Sequence, residues 1–272
     1  MSEVFESFAQ NFEDVMLWRV FNTLTSGTYI DVGAGDPTVD SVTKAFYDRG
    51  WSGINIDPLK NNIMSLNKER LLDTNLEVVI GGFTGEVDFY EIGVAGWSTA
   101  SKSVAQTYMS AGIAVSRSTK QQFTLTDIWK KHLESHEVNF LKIDVEGTEL
   151  QVLEGLDLEK YRPWLILIES THPNTQVESH EAWEHILTCS QYIFVYKDGL
   201  NRFYLASEHE SLRKYFEFPP NVFDNFVKNR PEYQVYLERI SELQSQIAEI
   251  LNSKSWRVIR LVNKILKKIR II

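Results

Sequence analysis

The segment YIDVGAGDP, residues 29–37, places two glycines between acidic residues at the predicted end of a strand. Gly33 and Gly35 allow the backbone to turn sharply and to approach a ligand closely, because glycine has no Cβ atom. In open α/β sheets, ligands bind in a crevice beyond the carboxyl ends of the strands. We therefore predict that Asp31, Gly33, Gly35 and Asp36 bind a ligand.

Two classes of ligand suit this turn, namely dinucleotides and S-adenosylmethionine. A dinucleotide-binding turn has a third glycine three residues further on, which lets its helix approach the pyrophosphate, but that position here is Thr38. Asp31 and Asp36 would repel a pyrophosphate, whereas they would attract a ligand with a sulfonium and an ammonium group. The charge therefore favours S-adenosylmethionine as the cofactor.

The next two predicted strands lead to further candidates for this cofactor site. The strand INID ends in Asp57, whose carboxylate is placed to accept hydrogen bonds from the ribose hydroxyls. Gly82 and Phe83 follow the third predicted strand, NLEVVI, and are candidates to line a slot for the adenine ring.

Carboxylates and one histidine lie at the ends of two later strands, VNFLKI and WLILIE. Transfer of a methyl group from S-adenosylmethionine to a weak nucleophile would require a base that removes its proton, or a metal that lowers its pKa. We predict His172 as the general base, because imidazole titrates near neutral pH. Asp144 and Glu169 are further catalytic candidates, and Asp144 is also a candidate contact for the cofactor ammonium. The alternative is a Mg²⁺ site, with ligands from Asp144, Glu146, Glu169 and His172.

Two other segments are candidates for binding the acceptor. GWSTASKS, residues 96–103, would form a lid in which Trp97 stacks on the acceptor and Ser98 hydrogen-bonds to it; Trp97 would stack on a sugar face if the acceptor is a sugar. A packed tryptophan in an ordinary loop is the alternative. Asn201 follows a predicted hairpin turn and is the third candidate.

Apolar strands alternate with helices along most of the chain, as in TYIDVG, DSVTKAFYDRG and WSGINIDP. This alternation predicts a doubly wound α/β fold with a mostly parallel sheet of about seven strands. The segment YIFVYKDGLNRFYLA predicts two strands around an Asp-Gly turn, which add an antiparallel hairpin at one edge.

Several blocks of this chain together resemble the FkbM-type methyltransferase family: YIDVGAGDPTVDSVTKAFYDRGWSGINIDP, FLKIDVEGTELQVLEGL and PWLILIE. The resemblance extends over roughly residues 8–227. It implies a Rossmann-like class I methyltransferase fold that uses S-adenosylmethionine to methylate an oxygen. It also implies that the Gly33–Gly35 turn holds the methionine end of the cofactor and that Asp57 binds the ribose, where Glu is usual in the family.

The later blocks SHEAWEHIL, DGLNRFYLA and PPNVFDNFV resemble the branch of this family that is found with bacterial glycan-assembly enzymes. The implied acceptor is a sugar hydroxyl in a surface glycan or its precursor. Two alternatives stay open, namely a non-catalytic adaptor of a glycan-assembly complex and an NAD-type oxidoreductase.

The composition changes near residue 230, which predicts a domain over residues 1–230 and a helical tail over residues 231–272. The tail begins with heptad spacing of Tyr233, Tyr236, Ile240, Leu243, Ile247 and Ile250. Its last part is a basic amphipathic segment with seven Lys or Arg and no acidic residue between positions 253 and 272. Self-association, a glycan-assembly partner and contact with anionic lipid are the alternatives for this tail.

The net charge is −9, so removing the seven positive charges of the tail leaves −16 on residues 1–252. A body this acidic is expected to repel nucleic acid. The single cysteine, Cys189, and an N-terminus without a signal-peptide pattern predict a cytoplasmic protein. The tail would place it peripherally on the inner face of the membrane.

Overall fold

The structure is a computed structural model that describes residues 4–134, 136–229, 231–253, 255–256, 262–263 and 265. The chain divides into two compact units, Met1–Lys228 and Asn229–Ile272. The first unit contains the sheets and the candidate site, and the second contains a single long helix with part of the segment after it.

The strands are β1 Phe5–Ser7, β2 Thr28–Val32, β3 Ser52–Ile56, β4 Thr74–Leu76, β5 Val79–Ile80, β6 Gly85–Ile92, β7 Val115–Phe123, β8 Phe140–Ile143, β9 Leu165–Glu169, β10 Tyr192–Lys197, β11 Asn201–Ala206 and β12 Phe226–Lys228. The α-helices are α1 Glu13–Phe21, α2 Lys44–Tyr47, α3 Lys60–Glu69, α4 Lys102–Ser110, α5 Leu125–His132, α6 Glu149–Glu154, α7 Glu184–Cys189 and α8 Pro231–Asn252. Short 3₁₀ helices cover His180–Ala182, Ser207–Phe216 and Val222–Asp224.

The central sheet has the strand order β10-β11-β9-β8-β2-β3-β4. Strands β9, β8, β2, β3 and β4 are parallel, whereas β11 pairs antiparallel with β9 and with β10. The prediction of a mixed α/β fold with a mostly parallel sheet is therefore confirmed. The strand order reverses between β2 and β8, and this point is where a sheet of this kind opens a ligand crevice.

Both faces of the sheet are covered by apolar layers. Ile30 of β2 packs in one buried cluster with Leu141 and Ile166, while its neighbour Tyr29 packs in the other cluster with Phe140. Alternate residues of one strand thus enter opposite layers, as expected for a strand buried on both faces.

A second sheet, in the order β5-β7-β6, departs from the expected arrangement. The sequence predicted one continuous third strand from residue 75 onward, but the chain leaves the central sheet after β4 and joins the second sheet at β5. Strand β7, which the sequence did not predict as a strand, pairs antiparallel with β6 along its length. Most of the β7 side chains are exposed, so the strand has little of the apolar pattern that would have revealed it.

The heptad-patterned segment lies within α8, where the side chains of Ile240, Leu243, Ile247 and Ile250 are exposed. Self-association through this face stays a prediction. The side chains of Tyr233 and Tyr236, and most of the basic segment after residue 253, lie outside the described residues. Among the residues that the structure describes, none of the helices combines the length and the apolar character needed to cross a membrane.

Helix α1 begins with two buried carboxylates, Glu13 and Asp14, which are 4% and 0% exposed. Glu13 accepts hydrogen bonds from the Asn11 backbone N–H and from Asn201 Nδ2, at 2.8 Å each. Asp14 accepts from Ser7 Oγ and from two backbone N–H groups. Burial raises the pKa of Glu13 to about 8 and that of Asp14 to about 6.

These raised pKa values predict a protein whose stability decreases as the pH increases. The folded state retains the Glu13 proton up to a pH of about 8, whereas the unfolded chain loses it near its ordinary pKa of 4.5. Between these values the folded state binds more protons, so the free energy of unfolding falls with pH. Glu13→Gln should remove up to about 1.4 kcal/mol per pH unit of that slope. Urea unfolding from pH 5 to pH 8 measures the slope of the free energy of unfolding against pH. The exposed control Glu91→Gln should leave this slope unchanged. An unchanged slope in Glu13→Gln would refute the prediction.

Candidate active site

A cavity of about 790 Å³ opens at the carboxyl ends of β2, β3, β8 and β9. This volume is within the usual range for small-molecule sites, roughly 300–1,000 Å³. Its wall includes Gly33, Gly35 and Asp36 after β2, and Asp57 at the end of β3. The predicted turn and the predicted ribose contact thus lie in one cavity.

Gly33, in the loop after β2, packs directly against the loop after β8. A Cβ atom on Gly33 would lie 1.7 Å from the backbone oxygen of Asp144, and the φ angle of Gly33 is +81°. Gly35 has a φ of +62°, but nothing lies within 4 Å of the position that its Cβ would take. The protein therefore requires glycine at position 33 for its own packing, while the space beside Gly35 is free for a ligand.

Asp57 holds the Gly35 turn through its carboxylate. Its Oδ2 accepts hydrogen bonds from the Gly35 N–H at 3.0 Å and from Asn62 Nδ2 at 3.1 Å, and its Oδ1 accepts from the Leu59 N–H at 2.7 Å. Burial raises the pKa of Asp57, and these hydrogen bonds oppose that rise. A carboxylate accepts about four hydrogen bonds, so one site is left for a ribose hydroxyl. Asn62, which also lines the cavity, becomes an additional candidate for the ribose contact.

Asp31 lies behind the cavity wall, which corrects its prediction as a direct cofactor contact. Its side chain is 1% exposed, its Oδ1 is 3.2 Å from Lys142 Nζ, and its Oδ2 accepts a hydrogen bond from Thr43 Oγ1. Lys142 Nζ also donates to the Gly33 carbonyl oxygen at 2.8 Å. Asp31 therefore acts on the turn indirectly, by fixing the lysine that holds it.

Sequence reasoning missed Lys142, although a charged residue inside the apolar strand FLKI was a usable signal. Its ammonium group lies 3.5 Å from Asp144 Oδ2, in addition to its contacts with Asp31 and Gly33. Burial tends to lower the pKa of Lys142, but the carboxylates of Asp31 and Asp144 outweigh burial and raise it. The side chain is thus a permanent cation in the cavity wall.

Three carboxylates meet in the cavity at the ends of β8 and β9, namely Asp144, Glu146 and Glu169, and we call them the acidic cluster. Each offers an oxygen within 4.8 Å of the others. Burial and the charge of Asp144 raise the pKa of Glu146 to about 8, and burial with Asp144 and Glu146 raises that of Glu169 to about 10. The three groups therefore share fewer than three negative charges at neutral pH. The structure confirms that these predicted residues lie together.

Local backbone geometry aims Glu146 into the cavity. Glu146 has a φ of +57° and the following Gly147 a φ of +98°, so the chain turns back sharply after β8. Thr99 Oγ1 donates a hydrogen bond of 2.8 Å to the Glu146 carbonyl oxygen and so ties this turn to the loop that carries Trp97. A non-glycine residue in this conformation is strained, and such strain is concentrated at functional sites.

His172 is not part of the cavity, although its loop is. Thr171, Asn174 and Thr175 line the cavity, but the His172 side chain is exposed and outside the wall. The backbone N–H of His172 donates to the Val177 carbonyl oxygen at 2.8 Å, which fixes the direction of the loop at this residue. The structure therefore supports His172 neither as general base nor as metal ligand.

Asn201 and the pair Gly82–Phe83 also lie outside the cavity wall. Asn201 is buried and its amide donates to Glu13 and Asp198, so it supports the fold and does not contact the acceptor. Phe83 is 56% exposed. The apolar wall that we predicted at Gly82 and Phe83 is formed by residues that precede them in the chain, namely Val78, Val79 and Ile80.

Two loops that line the cavity meet at Tyr108 of α4. The Tyr108 ring stacks on Trp97, with ring centroids 5.1 Å apart, and its hydroxyl accepts a hydrogen bond from Asn174 Nδ2 at 2.5 Å. Trp97, Ser98 and Asn174 all line the cavity. Trp97 thus lines the cavity, with Tyr108 packed against one of its ring faces, and its contact with the acceptor stays a prediction.

Tyr108→Phe should loosen the 171–178 loop without affecting the cofactor half of the cavity. The ring stack on Trp97 is retained, but the hydrogen bond to Asn174 is lost, which costs about 1 kcal/mol. Amide exchange in the 171–178 loop should become about fivefold faster, while the affinity for S-adenosylhomocysteine stays unchanged. Tyr196→Phe in β10, outside the cavity wall, is the matched control. Unchanged exchange in Tyr108→Phe would contradict the role of this hydroxyl.

The charge of the cavity wall favours a cationic ligand. Among the described residues, Lys142 is the only basic side chain that lines it, against the carboxylates of Asp36, Asp40, Asp57, Asp144, Glu146 and Glu169. The free space beside Gly35, the hydrogen-bonding pair Asp57 and Asn62, and the apolar wall at residues 78–80 are together compatible with S-adenosylmethionine.

The family model of the methyltransferase FkbM domain matches residues 31–217, which is more than half of the chain. The protein therefore belongs to the FkbM methyltransferase family and is a methyltransferase. Members of such families generally use S-adenosylmethionine. A comparison with curated proteins finds no match.

Proposed function

We propose that the protein transfers a methyl group from S-adenosylmethionine to a hydroxyl oxygen of a sugar, in a bacterial surface glycan or its precursor. The observation that carries this proposal is the arrangement of one cavity. The Gly33–Gly35 turn and Asp57 lie on one side, and the acidic cluster lies at the neighbouring strand ends. The residues proposed to hold the cofactor are thus adjacent to groups that could activate a hydroxyl.

The cofactor half of the cavity would be held by residues that the fold positions firmly. Asp57 and Asn62 would bind the ribose, and residues 78–80 would pack on the adenine. Lys142, Asp36 and Asp144 would surround the charged methionine end. The cofactor supplies a methyl group on a positively charged sulfur, and the protein's task is to hold the acceptor oxygen in line with it.

The acceptor half of the cavity suits a neutral ligand with many hydroxyl groups. Ser98, Asn174, Thr175 and Gln176 line it with uncharged hydrogen-bonding side chains, next to the aromatic ring of Trp97. Amide and hydroxyl groups beside an aromatic ring are a common way of recognising sugars. The acidic cluster would take up the proton of the acceptor hydroxyl.

Methyl-donor turnover against a panel of sugar nucleotides and lipid-linked oligosaccharides tests the proposal. We expect radioactivity from labelled S-adenosylmethionine in at least one sugar acceptor, in an ether linkage that resists mild alkali. Incorporation into a carboxylate or an amine would refute the sugar hydroxyl as acceptor. Absence of saturable S-adenosylhomocysteine binding, together with no transfer to any acceptor, would favour the non-catalytic adaptor.

A further inference from the structure

The acidic cluster has the donor atoms of a cation site, in addition to its proposed role as proton acceptor. Its members, Asp144, Glu146 and Glu169, present only carboxylate oxygens, within 4.8 Å of one another. Oxygen donors without imidazole or thiolate are typical ligands of hard divalent cations.

The carboxyl group of Glu169 has less positive charge beside it than that of Asp144. Lys142 approaches only Asp144, at 3.5 Å, and its ammonium group is shared with Asp31 and the Gly33 carbonyl oxygen. Glu169 is 5% exposed, and its Oε2 has no hydrogen-bond partner among the described residues. A buried polar atom without a partner is costly, and a buried carboxylate more so. Glu169 lines the cavity, so a cation held among the three carboxylates would lie beside this side chain.

We propose that the acidic cluster binds one divalent cation of the magnesium class. This inference rests on the proposed function and adds a metal to the same site. Two oxygens bound to one ion lie no further apart than twice the metal–oxygen distance, which is about 4.2 Å for Mg²⁺ and about 4.8 Å for Ca²⁺. The spacing of the cluster therefore fits a single ion, with a slight closure of the side chains for Mg²⁺.

The cation would leave room for the acceptor. Mg²⁺ takes roughly six ligands and usually retains several waters. Three carboxylates would occupy one side of the ion, and the side that faces the open cavity would remain for water or for the acceptor hydroxyl. A hydroxyl bound to a divalent cation has a lowered pKa. The metal would therefore make it easier for the carboxylates to remove the proton of the acceptor hydroxyl.

Binding of Mn²⁺ to the full-length protein, followed by the decrease of its free electron paramagnetic resonance signal, tests the site without any acceptor. We expect saturable uptake that Mg²⁺ displaces. Glu169→Gln and Glu146→Gln should each weaken this binding by about tenfold or more. The matched control is Glu181→Gln, an exposed carboxylate outside the cavity, which should bind Mn²⁺ as the unmodified protein does.

Three results would overturn the metal site. The first is the absence of saturable Mn²⁺ uptake, the second is uptake that both Glu169→Gln and Glu146→Gln leave unchanged, and the third is expulsion of Mn²⁺ by S-adenosylhomocysteine. Each variant is checked for folding by its thermal melt, and the neutral isosteres keep the buried side-chain volume. Saturating S-adenosylhomocysteine should leave Mn²⁺ bound; if it expels Mn²⁺, the cluster is a cofactor subsite and the metal proposal is wrong. S-adenosylhomocysteine binding without Mn²⁺ uptake would leave the proposed function standing, so the two failures are distinguishable.

Discussion

Gly33→Ala should abolish cofactor binding and strongly destabilise the fold. The new Cβ atom would lie 1.7 Å from the Asp144 backbone oxygen, a contact that only a shift of β2 against β8 can relieve. The left-handed backbone adds its own cost of about 1–2 kcal/mol. We expect a loss of about 4 kcal/mol or more in the free energy of unfolding, in the range of severe core substitutions, together with loss of saturable S-adenosylhomocysteine binding.

Gly35→Ala and Gly112→Ala separate the effect on binding from the effect on folding. Both glycines have positive φ angles, +62° and +79°, and open space at the Cβ position, so both variants should lose about 1–2 kcal/mol and still fold. Only Gly35 lines the cavity. Calorimetry should therefore show S-adenosylhomocysteine binding lost in Gly35→Ala and retained in Gly112→Ala. Equal affinity in the two variants would show that the turn is not a ligand site.

Glu169→Gln should lower methyl transfer by about 100-fold or more while S-adenosylhomocysteine still binds. The amide has nearly the same volume as the carboxyl group, but it can neither bind a cation nor form the carboxylate that accepts the acceptor proton once a bound cation has displaced the proton of Glu169. Loss of a general base typically costs a factor of 10²–10⁴. Single-turnover rates with an acceptor from the sugar panel measure the effect.

His172→Ala is the informative comparison for Glu169→Gln. Its side chain is exposed and outside the cavity wall, so we expect His172→Ala to transfer methyl groups at an undiminished rate. A large loss in His172→Ala, with a full rate in Glu169→Gln, would restore the histidine as base and refute the role of the acidic cluster.

The residues that sequence analysis located correctly are those whose position follows from the sheet alone. Carboxyl ends of parallel strands meet at one edge, so Gly33, Asp57, Asp144 and Glu169 had to approach one another once their strands were recognised. The doubly covered sheet likewise follows from apolar strands that alternate with helices.

The residues that sequence analysis misplaced depend on contacts between distant parts of the chain. Asn201 turns toward Glu13, which is 188 residues earlier, and no local pattern predicts that hydrogen bond. The direction of His172 is set by the pairing of its loop with Val177. Lys142 is the exception, because a lysine in a buried strand requires anionic partners and would have indicated a charged site.

The most direct test of the account is a pair of calorimetric titrations of the unmodified protein with S-adenosylhomocysteine and with NADH. The carboxylate-rich wall should accept the methyl-donor product in a saturable manner and reject the pyrophosphate of the dinucleotide. S-adenosylmethionine, with its extra positive charge, should compete for the same site. Saturable binding of NADH, with no heat from S-adenosylhomocysteine or S-adenosylmethionine, would contradict the central claim that this cavity is built for a cationic methyl donor.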